Sequence, residues 1–131
     1  MKIKKTILCV LNLVIILIGT WLIGTGFTKN SSVFINDYSI SNDRSIMKID
    51  VGVGSSVGFI RKVNVHKQED GKLYLDFISA FGGINGSIGA KNTFEIPIDK
   101  DCQEIAIYRS NNDYQTVLEK DGDSVEWIRV K

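Results

Sequence analysis

The sequence predicts an all-β domain behind one membrane-spanning helix, and three observations carry that reading. The first is an uncharged, strongly apolar stretch from Thr6 to Phe27, preceded by Lys2, Lys4 and Lys5. The second is apolar–polar alternation that recurs in short runs from Val33 onward, the period of a half-buried strand, with no helical stripe among them. The third is punctuation between the runs: Asp70-Gly71, Asp121-Gly122 and two glycine clusters, residues that supply the positive φ of tight turns.

The helix comes first. The 22 residues from Thr6 to Phe27 rise about 33 Å at roughly 1.5 Å each, enough for a hydrocarbon core of about 30 Å. Basic residues cluster before the span and only Lys29 follows it closely, so the positive-inside bias sets the topology. It predicts a cytoplasmic tail at 1–5, an anchor at 6–27, a polar linker at 28–32 and an extracytoplasmic domain at 33–131. Trp21 falls near the outer end, at headgroup level. A secreted product cut from a signal peptide is the alternative, because Gly24-Thr25-Gly26 offers small residues to a peptidase. Signal peptides, however, carry apolar cores of about 7–15 residues, and the uncharged core from Ile7 to Ile23 has 17. Cys9 sits near the start of the apolar run rather than after it, which argues against lipidation. Gly26-Phe27-Thr28 resembles the cleavage site of type IV pilins, but there the helix follows the tripeptide and here it precedes it. Asn12, Thr20 and Gly24 are a weak signal for helix–helix contact.

Each strand follows from its alternation. Val33–Ile40 and Ile46–Val53 come first, with Met47, Ile49, Val51 and Val53 on one face. Phe59–Lys67 turns Phe59, Val63 and Val65 inward and Lys62, Asn64 and His66 outward, with Arg61 as an exception. Beyond Asp70-Gly71, Leu73, Leu75 and Phe77 continue the apolar face to Ala80. Phe94, Ile96 and Ile98 resume it, and Pro97, lacking an N–H, places that strand at an edge. Glu104–Arg109 turns Ile105 and Ile107 inward. Tyr114–Glu119 and Ser124–Val130 close the domain as a hairpin containing Trp127. Together these predict an antiparallel, seven-stranded β-sandwich of immunoglobulin-like or fibronectin-III-like outline.

Composition narrows the chemistry. About one hundred residues beyond the anchor suffice for one modest core. Residues 31–131 hold 12 basic and 15 acidic side chains, a net charge near −3, which offers no basic field for nucleic acid. Cys102 is the only cysteine outside the span, so the domain has no internal disulfide, and a partly buried thiol near a strand start is expected.

The motifs exclude more than they assign. In the loop Phe81–Asn92, Gly89 is followed by Ala90, and Lys91 leads into a strand, so the phosphate-loop spacing is absent. Gly52, Gly54 and Gly58 miss the dinucleotide G-x-G-x-x-G spacing by one residue. Both clusters read as flexible or bulged connections. His66, the only histidine, has no second His or nearby Cys to share a metal and no nucleophile-elbow motif, so it reads as a surface residue. Asp99 with Asp101 and Asp121 with Asp123 lack the EF-hand pattern and read as solvated turn acids, and no face-to-face carboxylate pair is apparent. No catalytic residue, metal site or cofactor is therefore assigned. Ligand contacts are expected on loops of the rigid scaffold: Gly82, Gly83, Asn85 and Lys91 in one, and Tyr108, Arg109, Asn112 and Tyr114, which combine aromatic, cationic and amide groups, around a hairpin. Asn30-Ser31-Ser32 and Asn85-Gly86-Ser87 match the N-glycosylation pattern.

From Ser55 onward, five pieces occur in order: Gly58-Phe59-Ile60, Lys72-Leu73-Tyr74-Leu75, Phe81-Gly82 with Ile88-Gly89-Ala90-Lys91-Asn92, Phe94-Glu95-Ile96, and Val117-Leu118-Glu119-Lys120 running to Trp127. Over about two-thirds of the chain this order resembles small extracytoplasmic domains of unknown function from Firmicutes. The resemblance implies a bacterial host, a β-sandwich and a surface location, and transfers no functional residue. The expectation is a non-enzymatic, membrane-anchored module that binds a protein or cell-envelope partner. The alternatives are an accessory subunit of a membrane complex acting through its helix, or an envelope enzyme without a recognisable motif.

Overall fold

The computed structural model describes residues 2–54, 58–83, 85–122 and 125–130. Helix α1 runs Lys2–Gly24 and tightens into a 3₁₀ turn at Thr25–Phe27. No described residue of α1 is buried by the rest of the chain. The Thr6 and Thr20 hydroxyls donate to carbonyls one turn back, at 2.9 and 2.8 Å, so those side chains are satisfied within the helix. A single apolar N-terminal helix of this length fits a membrane anchor or a signal sequence.

Eight strands follow among the described residues: β1 (Val33–Ile40), β2 (Ile46–Val53), β3 (Ile60–Glu69), β4 (Lys72–Ser79), β5 (Thr93–Pro97), β6 (Glu104–Ser110), β7 (Asp113–Lys120) and β8 (Trp127–Arg129). They form two sheets, ordered β1-β2-β5 and β3-β4-β6-β7-β8. One core joins them: Val33, Ile35, Met47, Ile49 and Ile96 from the smaller sheet meet Leu73, Leu75, Phe77, Ile105, Ile107, Leu118 and Trp127 from the larger. Phe77 and Phe94 meet edge to face with centroids 6.0 Å apart, the arrangement that ring quadrupoles favour.

The structure corrects the expected strand plan in three respects. There are eight strands, not seven, because the closing hairpin contributes two. The sheets are not wholly antiparallel, since β4 and β6 pair in parallel through Lys72–Leu75 and Glu104–Ile107. The reason is parity: β5 crosses to the other sheet, and strands two apart in a back-and-forth chain run the same way. Third, Phe59 lies outside β3 and is 45% exposed, as is Val65, while Ile60 is buried at 3%. The register shift between Ile60 and Lys62 explains Phe59, because the extra residue puts Ile60, not Phe59, on the face that Val63 shares; the exposure of Val65 has no such account. The expected Asp121–Asp123 pair and the start of the last strand at Ser124 include residues outside those described. Pro97 does close an edge strand, β5.

Tight hairpins set the direction of the strands. Asp70 and Gly71 have φ of 53° and 76°, and Asn111 and Asn112 have 44° and 67°, the two-positive pattern whose twist matches flanking strands. With β1 leaving the helix, the connections at 41–45, 70–71, 98–103, 121–122 and 125–126 lie at the end away from α1. Those at 54, 58–59, 80–83, 85–92 and 111–112 lie at the helix end.

The seam between β1 and the larger sheet is closed by side chains. Arg129 donates to the Ile35 and Asn36 carbonyls, both at 2.5 Å, and Arg109 donates to the Val33 carbonyl at 2.7 Å. The Tyr38 hydroxyl donates to the Trp127 carbonyl at 2.8 Å. These donors occupy a strand edge that would otherwise invite pairing with another chain.

Cys102 is fully buried just before β6, its Sγ 3.5 Å from the Glu104 carbonyl, and burial raises its pKa. In a Cys9→Ala chain, Cys102 should react with a thiol reagent only as fast as the domain opens, and promptly in denaturant. Prompt reaction of the folded protein would contradict this burial.

Candidate functional site

The glycine-rich loop is built against the end of the helix. The Gly82 N–H donates to the Leu22 carbonyl at 3.0 Å, and the Gly83 N–H to Thr25 Oγ1 at 3.1 Å. A Cβ on Gly83 would lie 2.7 Å from the Trp21 ring, and one on Gly26 would lie 2.1 Å from the Phe81 ring. Gly82 and Gly83 also have φ near 100°, at 104° and 99°, which only glycine adopts without strain. Arg61 donates to the Gly26 carbonyl, and its guanidinium stands 4.4 Å from the Phe81 centroid and 5.8 Å from that of Phe27. Such cation–π contacts are worth about 0.5–2 kcal/mol each, depending on desolvation. Gly82 and Gly83, expected to face a ligand, thus face α1. Asn85 is exposed, and Lys91 has an exposed side chain and a backbone N–H that donates to the Ile60 carbonyl at 2.7 Å.

The second predicted group assembles a different feature. In β4, Leu73, Leu75 and Phe77 point into the core, so the strand period turns Tyr74 and Asp76 outward. Asp76 is nevertheless 5% exposed. The chain leaving the helix covers it: Ser79 N–H donates to the Thr28 carbonyl at 2.9 Å, and Asn30 N–H to the Phe77 carbonyl at 2.8 Å. Residues 28–30 thereby extend the ladder along β4 beyond its pairing with β6. Three groups then converge on the buried carboxylate: Tyr114 Oη donates at 2.6 Å, Lys29 Nζ lies at 3.3 Å and His66 Nδ1 at 3.2 Å. A buried charge requires such partners, since leaving it unpaired costs several kcal/mol or more.

Aromatic rings cover this node. Tyr114 packs against Tyr74, His66 and Tyr108 with centroids 5.2, 5.4 and 5.8 Å away. Lys29 stands 5.0 Å from the Tyr108 ring, and Lys67 4.6 Å from the Tyr74 ring. Burial, then the bond to Asp76, holds the Tyr114 hydroxyl well above the ordinary phenol range. Of the residues expected here, Tyr108 and Tyr114 do come together. Arg109 is instead committed to β1 and, through Nε, to Gln115 at 2.8 Å, with burial lowering its pKa. Asn112 holds the hairpin turn. His66 is solvent-exposed, as expected, yet it reaches Asp76, a contact set by the bulge at 65–67. The one sequence signal for the node was an acid inside the apolar run Leu73–Ile78.

A third feature lies at the end away from the helix. A groove of about 530 Å³ is lined by Tyr38, Ile40, Ser41, Arg44, Val125, Glu126 and Trp127, among others. An adjoining space of about 250 Å³ shares Ile40, Arg44, Val125 and Trp127 and reaches Ile98 and Lys120. The β1–β2 turn shapes its rim. The Asp43 carboxylate accepts from Ser41 Oγ at 2.7 Å, Ser45 Oγ at 2.8 Å and Ser45 N–H at 3.1 Å, and these bonds lower its pKa to about 2. Arg44 sits at φ 63°, and its guanidinium has no hydrogen bond or ion pair with the described residues. Lys120 stands 5.5 Å from the Trp127 ring. Sequence reasoning missed this groove because three separated loops build it. No family model, curated protein or solved structure matches the chain.

Two outcomes follow. Tyr114→Phe removes a hydrogen bond to a buried charge and should cost about 1–3 kcal/mol, measured by denaturant unfolding of the full chain in micelles; an unchanged midpoint would contradict the node. Asp43 has a depressed folded pKa, so its contribution is complete above the unfolded carboxylate pKa and is lost as pH falls through about 2. Amide signals of Ser41–Ile46 should therefore titrate in that acid window, and Asp43→Asn should abolish the effect.

Proposed function

We propose that this chain is a single-pass, membrane-anchored binding module of non-enzymatic character, whose extracytoplasmic domain engages a protein or cell-envelope component. The observation that carries the reading is the groove of about 530 Å³ at the end farthest from α1. It combines Ile40, Val125 and Trp127 with Glu126 and with the Arg44 guanidinium, which the described residues leave unpaired. That combination suits a partner offering an apolar segment beside charged groups, an anion toward Arg44 among them. Three lysines before the apolar run of α1 support a cytoplasmic N-terminus, and that topology presents the groove outward. Helix-end contacts through Trp21, Leu22 and Thr25 support retention of the anchor, because cleavage near Gly24 would strip them from the glycine-rich loop.

The non-enzymatic reading rests on how the candidate groups are engaged: Asp76 by three partners, Asp43 by two serines. Two sheets with hairpin connections support an immunoglobulin-like outline, modified by the parallel β4–β6 pair. The resemblance to Firmicutes surface domains accords with a bacterial envelope.

The test is site-specific photocrosslinking from Val125 in the native membrane, with Lys48 as a reference position. A discrete adduct from Val125, lost in Arg44→Glu, is expected. Arg44→Gly should also weaken it while leaving the fold intact, because glycine accepts the left-handed turn position. An adduct indifferent to Arg44→Glu, or equally strong from Lys48, would overturn the groove as the site.

A further inference from the structure

We propose that the helix end of the domain rests in the lipid headgroup layer where α1 leaves the bilayer, with Phe27, Phe59 and Ile88 immersed in it. The inference builds on α1 as a membrane span and adds a second contact that the helix alone does not provide.

Three observations carry it. First, the depth of the loop is set by its bonds. Residues 82–83 bond to Leu22 and Thr25 and lie against Trp21, so the loop sits beside the last turn of the span rather than above it. At about 1.5 Å per residue, Trp21 to Phe27 covers only about 9 Å, close to the depth of about 5–8 Å that headgroups add on each face of the core. Second, the side chains presented there are apolar. Phe27 is 67% exposed, Ile88 66% and Phe59 45%. Ile88 pairs with Phe81 across a β-bridge, and Phe81 meets Phe27 edge to face at 5.7 Å. Phe59 adjoins them through the Ala80 N–H, which donates to its carbonyl at 2.8 Å. The apolar positions are thus continuous with the helix surface.

Third, the charges at the two ends differ. The stretches 25–32, 54–63 and 80–94 hold Lys29, Arg61, Lys62 and Lys91 and no Asp or Glu. The far connections carry Asp43, Asp70, Asp99, Asp101, Asp121, Asp123 and Glu126 against Arg44 and Lys100. At the helix end Asp113 lies in the remaining near hairpin, and the buried Asp76 pairs with Lys29. A basic, aromatic surface complements phosphate headgroups, and an acidic one does not. The glycines gain a second role, since side chains at Gly82 or Gly83 would lever the loop, and Ile88 with it, off the helix.

The experiment uses the full chain with Cys9→Ala, Cys102 remaining because it is buried. Single cysteines at Leu13, Ile88 and Val125 carry a nitroxide, and the protein is reconstituted into phosphatidylglycerol–phosphatidylcholine vesicles. Collision with oxygen, which enters lipid, is compared with collision with a nickel chelate, which does not. Leu13 should be deep, Val125 aqueous, and Ile88 several-fold less open to the chelate than Val125 while still open to oxygen. Gly83→Leu should return Ile88 toward the Val125 value. A deep Leu13 with an aqueous Ile88 would overturn the docking and leave the span standing. A shielded Ile88 closed to both reagents would place protein, not lipid, over this face and overturn it too. An aqueous Leu13 would overturn span and docking together.

Discussion

The constraint on which the rest of this structure depends is the passage from α1 into the sheet. A helix that satisfies its own backbone must give way, within a few residues, to a chain that satisfies its backbone through neighbours. Here the exchange is completed between Leu22 and Asn30. Thr25 Oγ1 donates to the Leu22 carbonyl and Thr28 Oγ1 to the Thr25 carbonyl, each at 2.9 Å. Thr28 and Asn30 then join the ladder of β4. No slack linker intervenes. The glycine-rich loop closes on one side of this passage, Arg61 with Phe27 and Phe81 on another, and Lys29 with Asp76 just beyond.

That junction gives the molecule two unlike ends. Near the helix, polar groups of the backbone and side chains are consumed in fixing one body to the other, and the residual surface is basic and apolar. At the far end the turns are acidic, and a groove opens between the β1–β2 turn and Trp127. The two sheets hold these ends in register through a disulfide-free core and through Arg109, Arg129 and Tyr38. Guanidinium groups suit that stitching because their donors are planar, always charged and numerous enough to meet two carbonyls at once.

Much of the fold was legible in sequence because alternation reports burial locally. The β1 and β2 limits and their inward residues needed no knowledge of partners, and Asp70-Gly71 and Pro97 carried their own backbone chemistry. The misreadings sit where a non-local fact intervened. Phe59 is exposed and Ile60 buried because of the bulge between Ile60 and Lys62, which depends on how β3 meets β4. The parallel pair arises from β5 leaving the sheet, a matter of neighbours rather than of pattern. The glycine-rich loop looked like a ligand loop because glycine reports close approach without naming what approaches. What approaches is the helix of the same chain. Tyr108 and Tyr114 were legible as an aromatic hairpin, whereas their partners Asp76, His66 and Lys29 come from three other places along the chain.

By itself, the sequence determined an apolar N-terminal helix, a β-rich domain behind it, most strand limits and the absence of a domain disulfide. Those properties follow from hydropathy, side-chain period and residue chemistry, each of which acts within a few neighbouring residues. Tertiary structure alone decided which strands adjoin, that a buried carboxylate is clasped by Lys29, His66 and Tyr114, and that a groove opens opposite the helix. These depend on distances between residues far apart in sequence, and only the packing of two sheets around one core sets such distances.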